Sequence, residues 1–136
     1  MLLKDTKVVR ILLDTCTFLW ITTDAVELSK NARQIFSNPE NEIFLSCVSV
    51  WEIMVKNHLG KLPLPDEAEE FITDQRVQHE IETLSLTEQA VFYLRQLPQY
   101  HHDPFDRMLI CQAIERNLFI LTNDSLIKQY PVNVVW

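Results

Sequence analysis

The sequence predicts an α/β domain with a mostly parallel sheet. Two observations support this prediction: short, strongly apolar runs typical of buried strands, and segments with helical spacing of apolar residues between them. Strands that alternate with helices in this way favour a parallel sheet with right-handed crossovers. The chain has 136 residues, the length of one ordinary domain, so we expect a single domain over residues 1–136.

The predicted strands are short, and two of them are followed by an acidic residue. The first strand is a β-branched and apolar run that ends just before Asp14, and the fourth ends just before Asp124. The fifth predicted strand, near the end of the sequence, is short enough to be an edge strand. The five strands are Val8 to Leu13, Glu42 to Ser46, His79 to Leu84, Leu118 to Thr122 and Val132 to Val135.

The predicted helices lie between these strands, and several have recognisable first or last residues. Pro and acidic residues occur where helices begin, and Gly60 follows the second helix as a C-terminal stop. Because Gly60 is the single glycine, glycine-rich phosphate loops are excluded. The helices are one capped by Ser29, then Val48 to Leu59, Pro65 to Arg76, Thr87 to Pro98, and Phe105 to Asn117.

The charge balance excludes one class of function. The chain has 12 basic and 19 acidic residues, a net charge of −7. A module that binds nucleic acid only through a basic surface has the opposite balance. An enzyme that acts on nucleic acid through bound cations remains compatible with it, because the ions invert the local charge.

The cysteines and the N-terminus indicate the compartment. Cys16, Cys47 and Cys111 are widely spaced and form no C-x-x-C pattern, so we expect reduced thiols in a cytoplasmic protein. The segment Met1 to Asp5 has no basic stretch followed by a long apolar one, so we expect no secretory signal peptide. No apolar run reaches the roughly 18–20 residues that a membrane-spanning helix needs, so we expect no membrane partner.

Four carboxylates are placed where the carboxyl end of a parallel sheet binds ligands. Asp14 and Asp124 follow buried strands, while Glu52 and Asp106 lie in the first turns of helices. Strand ends and helix starts converge at that edge of an open α/β sheet. Clustered carboxylates repel each other, and a hard divalent cation relieves the repulsion. Oxygen ligands of this kind favour Mg²⁺ or Mn²⁺ over zinc.

Each acid also has a purely structural interpretation. Asp14 and Asp124 are typical turn residues after a strand. Glu52 precedes Lys56 by four residues, a favourable pair on a helix surface. The stretch Asp103 to Asp106 fits a capped helix start. The joint pattern in a strongly apolar context is what favours a shared site.

Four motifs occur together along the chain, and they cover most of its length. They are Leu12-Leu13-Asp14-Thr15, then Ser49-Val50-Trp51-Glu52-Ile53 with Lys56 and Gly60-Lys61-Leu62, then His102-Asp103-Pro104-Phe105-Asp106-Arg107-Met108-Leu109, and Leu121-Thr122-Asn123-Asp124. In these motifs and their order the chain resembles the PIN-domain family, and within it the VapC-type toxin ribonucleases. Cys111 stands where an alanine is usual, a small departure.

The resemblance implies a fold, an activity and partners. The fold is a three-layer α/β/α sandwich with a mostly parallel sheet of four to five strands. The activity is metal-dependent hydrolysis of RNA phosphodiesters, with one or two Mg²⁺ or Mn²⁺ ions in an acidic pocket. The partners are an RNA substrate, a small antitoxin that places a basic residue among the acids, and a second copy of the chain in a homodimer.

The resemblance also assigns roles to individual residues. We expect Asp14, Glu52 and Asp106 to hold a first ion, and Asp124, with Asp14 or Asp106, to hold a second ion or to orient water. Thr15 and Thr122 match hydroxyl positions near the metals, and Asp103 is the helix cap. Apart from the resemblance, Lys56 and Arg107 lie close in sequence to the acids and are candidate phosphate contacts, whereas Lys61 is a solvated surface charge as readily as a contact.

Several conspicuous residues are interpreted as structural. His101 and His102 precede a helix cap, where histidines are commonly exposed, so neither is expected as metal ligand or general base. Trp20, Trp51 and Phe105 are expected to be core or packing aromatics rather than platforms on which bases stack. The apolar segment Phe18 to Ile21 is either core or a contact surface.

Two other functions remain open from the sequence. One is a non-catalytic PIN-like interaction module with an unused pocket. The other is an acidic-pocket phosphotransfer protein. A haloacid-dehalogenase-type phosphatase would need Asp-x-Asp after the first strand, but Cys16 occupies the second Asp position. A receiver-like regulator would need a phosphoacceptor Asp after a central strand, and Glu42 to Ser46 offers none.

Overall fold

A parallel sheet forms the centre of the structure, a computed structural model that describes residues 9–136. Within this range the sheet has five strands in the order β3-β2-β1-β4-β5, and every neighbouring pair is parallel. The strands are β1 Arg10–Leu13, β2 Glu42–Ser46, β3 Glu82–Leu84, β4 Phe119–Leu121 and β5 Val134–Val135. Val8, predicted to begin β1, and the segment Met1 to Asp5 lie outside the described residues.

Helices follow most of the strands, as the alternating pattern predicts. Over the described residues the α-helices are α1 Thr15–Thr23, α2 Lys30–Ser37, α3 Cys47–His58, α4 Ala68–His79, α5 Glu88–Phe92 and α6 Pro104–Arg116. Short 3₁₀ helices cover Tyr93–Gln96 and Ile127–Gln129. None of the helices in residues 9–136 combines the length and the apolar character needed to cross a membrane.

Two apolar clusters cover the two faces of the sheet, which confirms the three-layer α/β/α arrangement. Along β1, Ile11 and Leu13 belong to one cluster and Leu12 to the other, because successive side chains of a strand point to opposite faces. The first cluster includes buried residues of α1, α2 and α4, and the second includes those of α6. The near-continuous apolar runs of β1 and β2 are explained by this burial on both faces.

Helix α1 is the main element that sequence patterning did not predict. Its residues, TCTFLWITT, are rich in β-branched and aromatic side chains and show no clear division into apolar and polar faces. The helix is stabilised by Asp14 as its N-cap and by burial of Phe18 and Ile21 against the sheet. The segment Phe18 to Ile21 is therefore partly core, with Leu19 and Trp20 half-buried.

Predicted and observed element ends differ by a few residues. Helix α4 begins at Ala68, three residues after the predicted start at Pro65, and continues to His79, where Glu80 takes a left-handed conformation. The helix predicted from Thr87 to Pro98 is α5 followed by a 3₁₀ turn. Gly60 has φ of +74°, so a glycine suits the turn that follows α3.

Candidate active site

The register of the sheet brings the ends of β1 and β4 together. Leu13 pairs with Leu121, so the next residues, Asp14 and Thr122, lie side by side at the carboxyl edge. Both side chains are buried, and the Thr122 hydroxyl donates a hydrogen bond to Oδ2 of Asp14. The topology therefore places the first acid at the edge where ligands of parallel sheets bind.

Asp14 has a structural role as well as a position in the site. Its Oδ1 accepts a hydrogen bond of 2.7 Å from the backbone N–H of Thr17, which makes it the N-cap of α1. Burial raises the pKa of Asp14 above its ordinary value, while the hydrogen bonds from Thr122 and Thr17 oppose that rise. The turn and cap interpretation of Asp14 is thus confirmed, and the same carboxylate remains in a low-dielectric, acidic environment.

Glu52 reaches the same edge from α3 and is 5% exposed. Its Oε1 accepts a hydrogen bond of 2.7 Å from the Thr15 hydroxyl, and its Oε2 forms an ion pair with Nζ of Lys56. The hydrogen bond to Glu52 raises the pKa of Lys56. The helix-surface pair expected from the four-residue spacing is confirmed, although the carboxylate half of it is buried.

Asp103 and Asp106 have different roles at the start of α6. Oδ1 of Asp103 accepts hydrogen bonds from the backbone N–H groups of Phe105, at 2.8 Å, and Asp106, at 3.1 Å. This confirms Asp103 as the helix cap and leaves the Asp106 carboxylate free to face the acids. Burial, and then the charges of Asp103, Glu52 and Asp14, raise the pKa of Asp106 to about 7.

Asp124 completes the acidic edge from the loop after β4. Its backbone N–H donates to Oγ1 of Thr122 at 3.1 Å, and its Oδ1 accepts from the N–H of Leu126 at 2.8 Å. The turn interpretation of Asp124 is confirmed by these contacts. Its Oδ2 remains directed toward Asp106 and His101, so the turn holds the carboxylate in the site.

His101 is a member of the cluster that the sequence did not predict. Its side chain is 14% exposed, whereas His102 is exposed as expected. Nε2 of His101 lies 3.0 Å from Oδ2 of Asp106 and 3.6 Å from Oδ2 of Asp124. The signal in the sequence was its closeness to the Asp103 cap, but the buried position depends on a contact with Tyr130, which no local pattern reveals.

The carboxylates are grouped differently from the expected first-ion set of Asp14, Glu52 and Asp106. Among the His, Cys, Asp and Glu side chains of residues 9–136, one group of at least three has ligand atoms that all lie within 4.8 Å of one another. Its members are His101, Asp106 and Asp124. Asp14 and Glu52 contribute nearby charge, because both raise the pKa of Asp106. Their carboxylates are engaged by threonine hydroxyls and by Lys56.

The donor set fits a hard divalent cation. Asp106 and Asp124 present carboxylate oxygens at one point, with buried negative charge from Asp14 beside them. Oxygen donors of this type match Mg²⁺ or Mn²⁺. The raised pKa of Asp106 indicates that the metal-free cluster lacks enough positive charge to balance its carboxylates.

The two candidate phosphate contacts lie in different environments. Lys56 is partly exposed at the rim, paired with Glu52, and Lys61 is exposed. Arg107 is buried instead, and its Nη1 donates to the carbonyl oxygen of Pro98 at 2.7 Å and to Oη of Tyr130 at 3.2 Å. The guanidinium is therefore engaged inside the protein, and its predicted contact with a phosphate stays a prediction.

The aromatic residues near the site are partly exposed and pack against one another. Trp51 is 60% exposed and makes an edge-on contact with Phe105, with ring centroids 4.8 Å apart. Trp20 is half-buried and packs edge-on against Trp136. Trp51 is therefore a packing aromatic at the surface rather than a core residue, because the helix face that carries Glu52 inward turns Trp51 outward.

A small surface pocket opens beside the acids and is lined by Asp14, Cys16, Trp20, Asn123 and Asp124. Burial, followed by the charge of Asp14, raises the pKa of Cys16 to about 11. The thiol is therefore protonated at neutral pH, which argues against Cys16 as a nucleophile. The carboxylates carry the chemistry available at this edge.

Comparison with known proteins gives a consistent family. The sequence profile of the PIN domain matches residues 11–133. Among curated proteins, Ribonuclease VapC16 of Mycobacterium tuberculosis is 35% identical over 51 residues, which cover 38% of this chain and 36% of that protein. The matched region thus spans about a third of that relative's length.

Solved structures share the fold at low sequence identity. A chain in the crystal structure of VapBC2 from Rickettsia felis, bound to a DNA fragment from their promoter, aligns with a TM-score of 0.69. That alignment has 16% identity and covers 93% of this chain and 97% of the other. A chain of a toxin–antitoxin complex from Klebsiella pneumoniae aligns with a TM-score of 0.57 and 18% identity, covering 93% and 96% of the two chains.

Proposed function

The chain belongs to the PIN domain family, and from this we propose that it is a metal-dependent endoribonuclease, the toxin of a toxin–antitoxin pair. The substrate is RNA, and its phosphodiester bonds are hydrolysed. The main support is the convergence of Asp106 and Asp124 in a group whose ligand atoms lie within 4.8 Å of one another, beside the buried Asp14 and Glu52. The name of the Mycobacterium tuberculosis relative, a ribonuclease, points to the same activity.

We assign the ion to the four acids Asp14, Glu52, Asp106 and Asp124. When bound, Mg²⁺ or Mn²⁺ lowers the pKa of its water and stabilises charge on the phosphate oxygens. Asp106 and Asp124 offer the best-aligned oxygens, since both Oδ2 atoms face the same point. Asp14 and Glu52 hold negative charge around that point.

The threonine hydroxyls set the orientation of the two buried carboxylates. Thr122 donates to Asp14, and Thr15 donates to Glu52. These bonds satisfy one oxygen of each carboxylate and leave further lone pairs available. Thr15 and Thr122 therefore act on the acids rather than on the substrate.

Charge explains why RNA binding should depend on the cation. The chain has a net charge of −7, and RNA phosphates are repelled by an uncompensated acidic edge. Lys56 lies at the rim of that edge and is positioned to contact a phosphate, with its ion pair to Glu52 as the competing interaction.

The partner proteins are a second part of the proposal. The fold similarity to a chain of a toxin–antitoxin complex supports an antitoxin partner that inserts a basic residue among the acids. We also propose a homodimer in the cytoplasm. Exposed apolar side chains on α3 and at its C-cap, including Trp51 and Leu59, offer a contact surface. The three cysteines are free thiols.

RNA cleavage by the purified protein tests the activity. Total RNA is incubated with Mg²⁺, with Mn²⁺ or with EDTA, using the wild type, Asp106→Asn and Asp74→Asn. Asp74 is an exposed residue of α4, away from the acids, and serves as the matched control. We expect metal-dependent cuts by the wild type and Asp74→Asn that disappear in Asp106→Asn. Folded, metal-binding protein without any cleavage would favour the interaction module.

A further inference from the structure

His101 occupies a position between the two carboxylates that face each other. Its Nε2 lies 3.0 Å from Oδ2 of Asp106 and 3.6 Å from Oδ2 of Asp124. These residues come from the start of α6 and from the loop after β4, so the imidazole connects two separate segments of the chain. Neither the cap interpretation of this region nor the four-acid assignment uses this histidine.

The protonation of the ring is fixed by its other nitrogen. The backbone N–H of Asp103 donates a hydrogen bond to Nδ1 of His101 at 3.3 Å. A ring nitrogen that accepts a hydrogen bond carries no proton, so the neutral imidazole has its proton on Nε2. The side of the ring that faces Asp106 and Asp124 is therefore a donor.

A second contact fixes the backbone of His101. Its N–H donates to Oη of Tyr130 at 2.7 Å, and the same Oη accepts a hydrogen bond from Arg107. Tyr130 is buried in the second apolar cluster. The loop before α6 is thus attached to the core on one side and to the α6 cap on the other, which limits where the ring can point.

The Nε2 proton lies between the two carboxylates. Nε2 is buried, and within the described part of the chain no acceptor meets the geometry of a linear hydrogen bond to it. Yet two carboxylate oxygens lie within 3.6 Å. A three-centre arrangement, in which one N–H is shared by two acceptors, accounts for both observations.

We propose that His101 is a positioning residue for the cation site, whose Nε2–H holds the carboxylates of Asp106 and Asp124 together without binding the ion. The two carboxylates repel each other, and a shared donor offsets part of that repulsion. Each carboxylate oxygen has more than one lone pair, so accepting this hydrogen bond leaves others for the cation. The inference rests on the proposed metal-dependent function and adds a residue to its site.

Coordination of the metal by Nε2 of His101 would require the proton to be on the other ring nitrogen. A nitrogen that binds a metal carries no proton, so Nδ1 would have to become the donor. The contact from the Asp103 N–H to Nδ1 would then be lost. The position of the ring proton therefore distinguishes positioning from coordination.

Nitrogen-15 NMR of the histidine rings measures that proton directly. Spectra are recorded for the metal-free protein and after addition of Mg²⁺, with His101→Gln and His102→Gln used to assign the signals. We expect the Nε2–H form of His101 in both states. An Nδ1–H form after Mg²⁺ addition would show coordination and overturn the proposal, as would an Nδ1–H form without metal.

The affinity for Mn²⁺ tests whether His101 contributes to binding of the cation. We expect His101→Ala to weaken binding by roughly 10- to 100-fold, the usual effect of removing a hydrogen-bond partner of a metal ligand. His101→Gln keeps an N–H donor and should recover much of the affinity. His102→Ala, a change in the exposed neighbour, should bind like the wild type. Circular dichroism confirms that each variant is folded.

The outcomes separate this inference from the proposed function. Wild-type affinity in His101→Ala would overturn the positioning role, even if RNA cleavage is established. Mn²⁺ binding that depends on both Asp106 and His101, in a protein that cuts no RNA, would support the positioning role and contradict the ribonuclease. Absence of Mn²⁺ binding by the wild type would overturn both.

Discussion

Asp14 and Thr122 are 108 residues apart in sequence, yet the Thr122 hydroxyl donates directly to Oδ2 of Asp14. The contact follows from the pairing of Leu13 with Leu121, which brings the next residues of β1 and β4 to the same level. The Thr122 hydroxyl also accepts from the backbone N–H of Asp124. One side chain therefore fixes two of the four acids.

Thr122→Val should destabilise the protein and weaken metal binding. Valine removes the donor to the buried Asp14 and the acceptor for Asp124 while keeping a similar shape. Leaving buried polar groups unpaired costs about 1–3 kcal/mol. Urea unfolding and Mn²⁺ titration measure the two effects. Thr122→Ser keeps the hydroxyl and is the control; equal losses in both variants would contradict the role given to the hydrogen bonds.

Asp106→Asn should stabilise the metal-free protein at alkaline pH. The pKa of Asp106 is raised from 3.8 to about 7, mainly by burial. A group with a raised pKa contributes stability below its unfolded pKa and loses that contribution as pH rises through the folded value. With EDTA at about pH 8, the variant should therefore melt a few degrees higher than the wild type.

The pH dependence is the control for this variant. At about pH 4 the wild-type carboxyl of Asp106 is protonated, so the two proteins should melt at similar temperatures. Calorimetry in EDTA at both pH values, with Asp74→Asn alongside, gives the comparison. A variant that is less stable than the wild type at about pH 8 would contradict the inference that the buried charge of Asp106 destabilises the metal-free protein.

Metal binding should release a proton below about pH 7. The same raised pKa means that Asp106 is largely protonated there, and a carboxylate must lose its proton to bind a cation. Mn²⁺ affinity should fall about tenfold for each pH unit below that value, for one proton released. Calorimetric titration in two buffers of different ionisation enthalpy counts the proton. An affinity that stays constant from about pH 5 to pH 8 would refute this linkage.

Arg107→Met should affect stability more than substrate binding. The buried guanidinium donates to Pro98 and Tyr130, and hydrogen bonds from charged groups contribute about 1.5–3 kcal/mol. Urea unfolding should show a loss of that size, whereas Arg95→Met, at an exposed position, should change little. A raised KM for RNA with unchanged stability would instead identify Arg107 as the phosphate contact expected from sequence.

Much of the sheet could be predicted because strands buried on both faces have near-continuous apolar sequences. The run that contains Arg10 to Leu13 and the run Glu42 to Ser46 are apolar on both faces, as strands covered by helices must be. Helix α1 could not be predicted in this way. Its side chains contact the sheet, and tertiary burial together with the Asp14 cap outweighs its low local helix propensity.

The candidate site was predictable where position along the chain determines position in space. Asp14 and Asp124 follow strands, and parallel strands end at one edge, so their proximity follows from topology. The placement of His101 and Arg107 depends on Tyr130, whose hydroxyl contacts both. Because Tyr130 comes much later in the chain, the sequence around either residue gave no indication of its burial.

The strand order β3-β2-β1-β4-β5 has a consequence for synthesis of the chain. The central strand is made first, but its neighbour β4 is made after more than a hundred residues have followed, as the separation of 108 between Asp14 and Thr122 shows. Contacts of such long range carry a loop-closure cost that slows folding. A growing chain on the ribosome therefore carries Asp14 without Thr122 or Asp124. The acidic edge therefore stays incomplete while the more than one hundred residues that separate Asp14 from Thr122 are being synthesised.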